Sequence, residues 1–232
     1  MLSRHGPRTA DVLESATVAG MDAPRPELLV KICGLRDAAM ARHAVACGAD
    51  AIGVVMAPRS PRHVTREQAT EIARAAHEAS ASVDVVLVVA TMPAREAAEE
   101  ARAIGADVLQ LHGSYTAEDF AAAREVLPRL WRATSLARNP GLRPGEVGEE
   151  RLLVDGADPG SGRTWQLDPA DARRLGTDWI LAGGLDPDNV ARAVAQAQLG
   201  GVDVSSGVES APGVKDPDRI ARFLAAARCA GA

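Results

Sequence analysis

Leu28-Leu29-Val30-Lys31-Ile32-Cys33-Gly34, then Asp37-Ala38-Ala39-Met40-Ala41-Arg42-His43-Ala44-Val45-Ala46-Cys47, then Gly48-Ala49-Asp50-Ala51-Ile52-Gly53-Val54-Val55-Met56 is the stretch that decides the fold. A short β-branched run and a glycine turn lead into an Ala-rich segment of helical period, and that segment feeds a second β-branched run. Two extended runs joined by a helix form one parallel strand-helix-strand unit.

The same pattern repeats to the C-terminus. Strands are expected at Leu28–Cys33, Ala51–Met56, Val83–Ala90, Val108–His112, Leu130–Ser135, Arg151–Asp155, Trp179–Ala182 and Val202–Ser205. Helices are expected at Asp37–Cys47, Arg66–Ala79, Ala94–Ile104, Ala117–Val126, Pro169–Leu175, Pro187–Ala197 and Pro217–Ala227. Between strands five and six, Ala137–Glu150 carries two Pro and three Gly, so a loop replaces the helix there. Gly48-Ala49-Asp50 and Gly105-Ala106-Asp107 each end a helix and open a strand, a helix C-cap repeated in register. An open doubly wound sheet would carry a Gly-rich fingerprint after its first strand, which Cys33-Gly34-Leu35 is not. The fold expected is α/β, a closed (β/α)8 TIM barrel with the helix after strand five replaced by a loop.

A chain of 232 residues, 47% hydrophobic and 25% charged, suits one domain with a sizeable core. Residues 1–26, rich in Arg, Pro, Ala and Asp with weak periodicity, read as a flexible N-terminal extension, and residues 27–232 as the barrel. A net charge of -5 gives no broad attraction to nucleic acid or to an anionic membrane. Any phosphorylated small molecule must therefore be held by a local site. No run approaches the roughly 20 apolar residues of a membrane span. Cys33, Cys47 and Cys229 are odd in number and lack zinc or disulfide spacing, which favours a reducing, cytoplasmic setting and no metal. A monomer is expected over a homodimer.

In such barrels the chemistry hangs from strand C-termini. Strand seven runs into Ala182-Gly183-Gly184-Leu185 and strand eight into Val204-Ser205-Ser206-Gly207-Val208. Both could be mere tight turns, but backbone N–H groups freed by glycine, side by side at that end, suit a phosphate. Cys33 ends strand one. A buried cysteine is usually a small core residue, yet here Gly34 opens the turn to a helix whose N-terminus favours a thiolate, and local positive potential is expected to lower its pKa. Asp155 ends strand six, where it could cap the turn at Gly156 or serve as an acid. Pro58-Arg59-Ser60-Pro61-Arg62-His63 brings two guanidinium groups to the mouth, either solvated or clamping a carboxylate or phosphate. Gln110 and His112 alternate with Leu109 and Leu111, so both could face inward, as structural groups or as substrate contacts.

Together, Lys31-Ile32-Cys33-Gly34, Arg59-Ser60-Pro61-Arg62, Leu109-Gln110-Leu111-His112-Gly113, Leu181-Ala182-Gly183-Gly184-Leu185 and Val202-Asp203-Val204-Ser205-Ser206-Gly207-Val208-Glu209 resemble the phosphoribosylanthranilate isomerase family over about Leu28 to Ala227. The resemblance implies an Amadori rearrangement of N-(5-phosphoribosyl)anthranilate in tryptophan biosynthesis, with no cofactor. It places the general base on Cys33, the general acid on Asp155, the anthranilate-carboxylate contact on Arg62 and phosphate contacts on Gly183, Gly184, Ser206 and Gly207. The chain departs from the family at Arg36, where Thr is usual, near Met56 and Ala57, where an aromatic is common, and at Pro159. Two other readings are a paralogue isomerising a related N-glycosylamine phosphate and a non-catalytic phosphate-ligand-binding regulatory barrel. The second has no use for Cys33, Asp155 and Arg62 together.

Overall fold

The computed structural model describes residues 28–156, 168–197 and 199–231. The expectations about residues 1–26 and about Pro159 lie outside the described residues. Eight strands, β1 (Leu29–Cys33), β2 (Ala51–Val55), β3 (Asp84–Val89), β4 (Val108–His112), β5 (Leu130–Ser135), β6 (Arg151–Asp155), β7 (Trp179–Ala182) and β8 (Gly201–Val204), close into a barrel in sequence order. All eight neighbouring pairs are parallel, and β8 closes on β1 with Lys31 opposite Asp203. Helices α1 (Ala38–Ala46), α2 (Arg66–Ala79), α3 (Ala94–Ile104), α4 (Ala117–Arg124), α5 (Pro169–Leu175), α6 (Val190–Gln196) and α7 (Pro217–Gly231) fall where the periodicity put them, the largest shift being the end of α7, at Gly231 rather than Ala227.

Local chemistry explains the boundaries. Thr65 and Thr116 open α2 and α4 with capping boxes, each exchanging a bond with the residue three places on. Pro169 starts α5 at the position where a missing N–H costs nothing. Gly48 and Gly105 follow α1 and α3 at φ +94 and +77, as the repeated triplets required. The aspartate of each triplet then does a second job: Asp50 accepts from Val30 N–H at 2.7 Å and Asp107 from Val85 N–H at 2.8 Å, tying each strand to the one before it.

Between β5 and β6 there is no helix, as expected. Leu142 is buried in the loop there, and Arg174 of α5 donates to the carbonyls of Leu142 (2.9 Å) and Pro140 (2.7 Å). A cavity of about 360 Å³ remains beside this loop, lined by Glu149, Glu150, Leu175 and Asp178 at the N-terminal ends of β6 and β7, away from the mouth.

Alternation along the strands sorts side chains into two cores. Outward residues such as Val30, Ile32, Ile52, Leu87 and Leu109 pack beneath the helices. The inward set, including Ala51, Val86, Val88, Val108, Trp131, Leu153 and Ile180, fills the barrel. Lys31, Gln110 and Asp203 share that inward parity and are buried with it.

After β8 the chain makes a single 3-10 turn (Ser206–Val208) and a small antiparallel hairpin, β9 (Glu209–Ala211) with β10 (Val214–Lys215). No sequence reading anticipated this hairpin, because strands of two and three residues are too short to display a period.

Candidate active site

The mouth is built from the last inward residue of each strand and the turn that follows. Cys33 ends β1 almost fully buried, and the turn behind it is pinned by Gly34 and Leu35 N–H groups donating to the Gly53 carbonyl at 2.8 and 3.0 Å. A Cβ on Gly53 would stand 2.7 Å from Cys33 Sγ, so β2 leaves the thiol its space.

The expected lowering of the Cys33 pKa is corrected by the structure. Burial pushes the thiol up and outweighs the pull of the Lys31 and Lys215 ammonium groups, while Asp203 adds to the rise. Helix α1 does not offset this. It starts only at Ala38, and its N-cap Asp37 already places a carboxylate on Met40 N–H at 2.8 Å.

Asp155 ends β6 half-buried, and its carboxyl is also raised, first by burial, with Asp203 adding and His112, the Gly156 N–H and Arg138 opposing. For an acid this shift is in the useful direction. His112 ends β4 in the field of Asp155, and burial pushes its imidazole down toward the neutral form. Gln110 lies one layer below, its Oε1 buried without a hydrogen-bond partner among the described residues.

Two loops lie between Asp155 and Cys33 on the shorter arc, since β7 and β8 separate β6 from β1. Gly183 has φ +84, and a Cβ there would meet Asp155 Oδ1 at 2.2 Å; only glycine both takes this turn and leaves room for the carboxylate. A Cβ on Gly207 would fall 1.9 Å from the Leu185 carbonyl oxygen, so the two loops touch. Asn189 Nδ2 holds the first loop by donating to the Gly184 carbonyl at 2.8 Å. The N–H groups of Gly183, Gly184, Ser206 and Gly207 make no hydrogen bond among the described residues. Ser205 is spent differently: its hydroxyl donates to the Cys33 carbonyl at 3.2 Å and ties β8 to β1.

Arg62 lies across the β1 turn, its Cδ 2.6 Å from where a Cβ on Gly34 would be. Glu209 grips it bidentately, accepting from Nε at 2.7 Å and Nη2 at 2.9 Å. Lys215 Nζ donates to the same carboxylate at 2.7 Å, and Gly213 N–H at 3.1 Å. These donors hold the buried Glu209 carboxyl at about 2, against the opposing effect of burial. Arg62 Nη1 stays uncommitted among the described residues, and Arg59 is exposed.

Lys31, Asp203, Glu209 and Lys215 escaped the sequence reading as site residues. The parity of Lys31 with Cys33 and of Asp203 with Ser205 was a usable signal for the first pair. For Glu209 the one signal was its place at the end of the motif from Val202, since the hairpin that carries it and Lys215 was not legible.

A family model described as N-(5'-phosphoribosyl)anthranilate (PRA) isomerase matches residues 30–226. A protein of Cereibacter sphaeroides named N-(5'-phosphoribosyl)anthranilate isomerase is 40% identical over 211 residues, covering 86% of this chain and 98% of the relative. The crystal structure of TrpF from Jonesia denitrificans superposes with a TM-score of 0.77 at 48% identity, covering 87% of this chain and 97% of that one. A crystal structure of phosphoribosyl anthranilate isomerase in complex with reduced 1-(o-carboxyphenylamino)-1-deoxyribulose 5-phosphate matches with a TM-score of 0.74 at 30% identity, covering 87% and 99%.

Proposed function

The chain belongs to the N-(5'-phosphoribosyl)anthranilate isomerase family, and from that premise we propose that Cys33 and Asp155 are the base and acid of its reaction. The function is phosphoribosylanthranilate isomerisation, an aldose-ketose conversion in tryptophan biosynthesis. One observation carries the assignment of roles: Cys33 and Asp155 flank two touching glycine loops, four of whose N–H groups make no hydrogen bond among the described residues.

The phosphate of the substrate is held by the N–H groups of Gly183, Gly184, Ser206 and Gly207, a backbone cradle whose second half opens the 3-10 turn Ser206–Val208. With that end fixed, the ribose lies across the mouth, and Arg62 Nη1 meets the anthranilate carboxylate. Asp155 gives its proton to the ring oxygen as the C1–O bond breaks, leaving a protonated imine at C1. That cation acidifies C2, and the Cys33 thiolate takes the C2 proton to give an enolamine. C1 then gains a proton and the C2 hydroxyl loses one, so the product is the 1-amino-1-deoxy-ketose with atoms and electrons balanced inside the substrate. His112 and Gln110 line the wall where the sugar hydroxyls pass.

The loss of anthranilate-type fluorescence as the phosphoribosyl substrate is consumed tests this. A folded protein with no turnover on that substrate, but with turnover on another N-glycosylamine phosphate, would transfer the scheme to a paralogous reaction.

Arg62→Ala is expected to raise KM far more than it lowers kcat, since Arg62 binds a carboxylate that does not change charge in the reaction. A charge-assisted bond of this kind contributes about 1.5–3 kcal/mol, roughly 10- to 150-fold in affinity. An unchanged KM in the folded variant would remove Arg62 from the clamp.

We also propose a cytoplasmic setting, in keeping with a biosynthetic enzyme family, and a monomeric state. Among the described residues no helix is long and apolar enough to cross a membrane, and Val214 is the one exposed large hydrophobic. Sedimentation equilibrium distinguishes the monomer from a homodimer.

A further inference from the structure

Lys31 is fully buried in the barrel, and the reaction above gives it no task. An ammonium group in an apolar interior costs several kcal/mol unless it is paired, and an aliphatic side chain would fill the same space without that cost. Its register partner Asp203 accepts a hydrogen bond from Nζ at 2.8 Å. That pairing keeps Lys31 charged: burial alone would lower its pKa, but Asp203 and then Cys33 more than reverse the effect.

Lys31 and Cys33 are two residues apart on one strand, share the inward face and are both buried, which sets the ammonium beneath the thiol and near enough to favour its anion. The other cation near the thiol, Lys215, is already committed to Glu209 Oε1 (2.7 Å) and to the Ser205 carbonyl (2.9 Å) and hydroxyl (3.4 Å). Lys31 has Asp203 as its one carboxylate among the described residues. From β2 the inward residues facing Cys33 are Ala51, Gly53 and Val55, which carry no charge. From β8 comes Asp203, from β10 Lys215, from the loop after β2 Arg62, and across the mouth stand His112 and Asp155.

We propose that the Lys31 ammonium, fixed by Asp203, is the built-in countercharge of the Cys33 thiolate and acts as a positioning residue for the base. This rests on the reading of Cys33 as the base. In the reaction the thiolate takes the C2 proton and becomes a thiol, while Lys31 keeps its own proton throughout, so no further reactant is required. The device answers a specific difficulty. A barrel interior dry enough to keep the proton on Asp155 also disfavours the thiolate, and a cation beneath the thiol favours it without opening the site to water.

The test measures thiolate absorbance against pH, without substrate, in a protein whose Cys47 and Cys229 are both replaced by serine, so that Cys33 alone reports. Lys31→Gln is expected to raise the midpoint by about one to three pH units, and turnover at a fixed pH below that midpoint should fall by up to about tenfold per unit. If burying Asp203 without its partner prevents folding, Lys31→Gln with Asp203→Asn replaces both charges by amides. The midpoint should still rise there, because Lys31 acts on the thiol more strongly than Asp203 does. An unmoved midpoint overturns the proposal, and so does a raised midpoint with undiminished turnover. Because the titration needs no catalysis, it stands apart from the turnover of Cys33→Ser, which tests the base reading by itself.

Discussion

Asp155→Asn should lose about 10² to 10⁴ in turnover while the barrel stays folded and still binds a product analogue. Opening the sugar ring requires a proton on the departing oxygen. An amide can donate a hydrogen bond to that oxygen but cannot surrender an acidic proton. The site prepares the carboxyl for this: burial raises it, Asp203 adds to the rise, and Gly183 leaves its Oδ1 room at the edge of the phosphate loop. The bound phosphate, another negative charge nearby, would raise it further. Asn is isosteric with Asp, and the Gly156 N–H, bonded to the Ala182 carbonyl at 2.9 Å, is untouched by the change, so little folding energy is at stake. Single-turnover rate, analogue affinity and circular dichroism should be measured together. Normal single-turnover chemistry would falsify the acid role, and a loss confined to analogue binding would make Asp155 a substrate-positioning group.

Cys33→Ser should be at least as damaging. A serine hydroxyl has the thiol's shape but is a far weaker acid, so its anion is absent at any working pH. Turnover should fall by about 10² to 10⁴, with analogue affinity kept because the phosphate loops and Arg62 are untouched. The pH dependence adds a second signature. Rate requires Cys33 ionised and Asp155 protonated, and burial raises both pKa values, hindering the first condition and helping the second. Turnover in the wild-type protein should therefore climb with pH while Asp155 holds its proton and level off as Asp155 ionises. It should fall once the thiol is fully ionised. Residual Cys33→Ser activity should lack the final break that belongs to the thiol. Near-wild-type turnover in this variant would remove Cys33 from the chemistry.

Much of this was legible in the chain itself, because the signals that place strands and helices are local. β-branched runs, Ala-rich helical periods and the two Gly-Ala-Asp caps each act over a few residues, and eight units in succession leave a closed barrel as their natural arrangement. The loop after β5 was legible for the same reason, since Pro140, Gly141, Pro144, Gly145 and Gly148 forbid a helix whatever surrounds them. Once the strand ends were known, so was the ring of mouth residues from which Cys33, Asp155, Gly183 and Ser206 hang.

What only the tertiary structure decided is energetic rather than topological. Whether the Cys33 pKa falls or rises depends on how dry its surroundings are, and burial is a property of the assembled barrel that no neighbour in sequence reports. The pairing of Lys31 with Asp203 spans 172 residues and exists because β8 closes on β1 in one particular register. Arg62 is held by Glu209 across 147 residues, through a hairpin too short to show a period. Local sequence therefore determined where the groups at the strand ends would stand, and barrel closure determined their long-range partners and electrostatic surroundings, because electrostatic energy depends on distance and solvent exclusion in three dimensions.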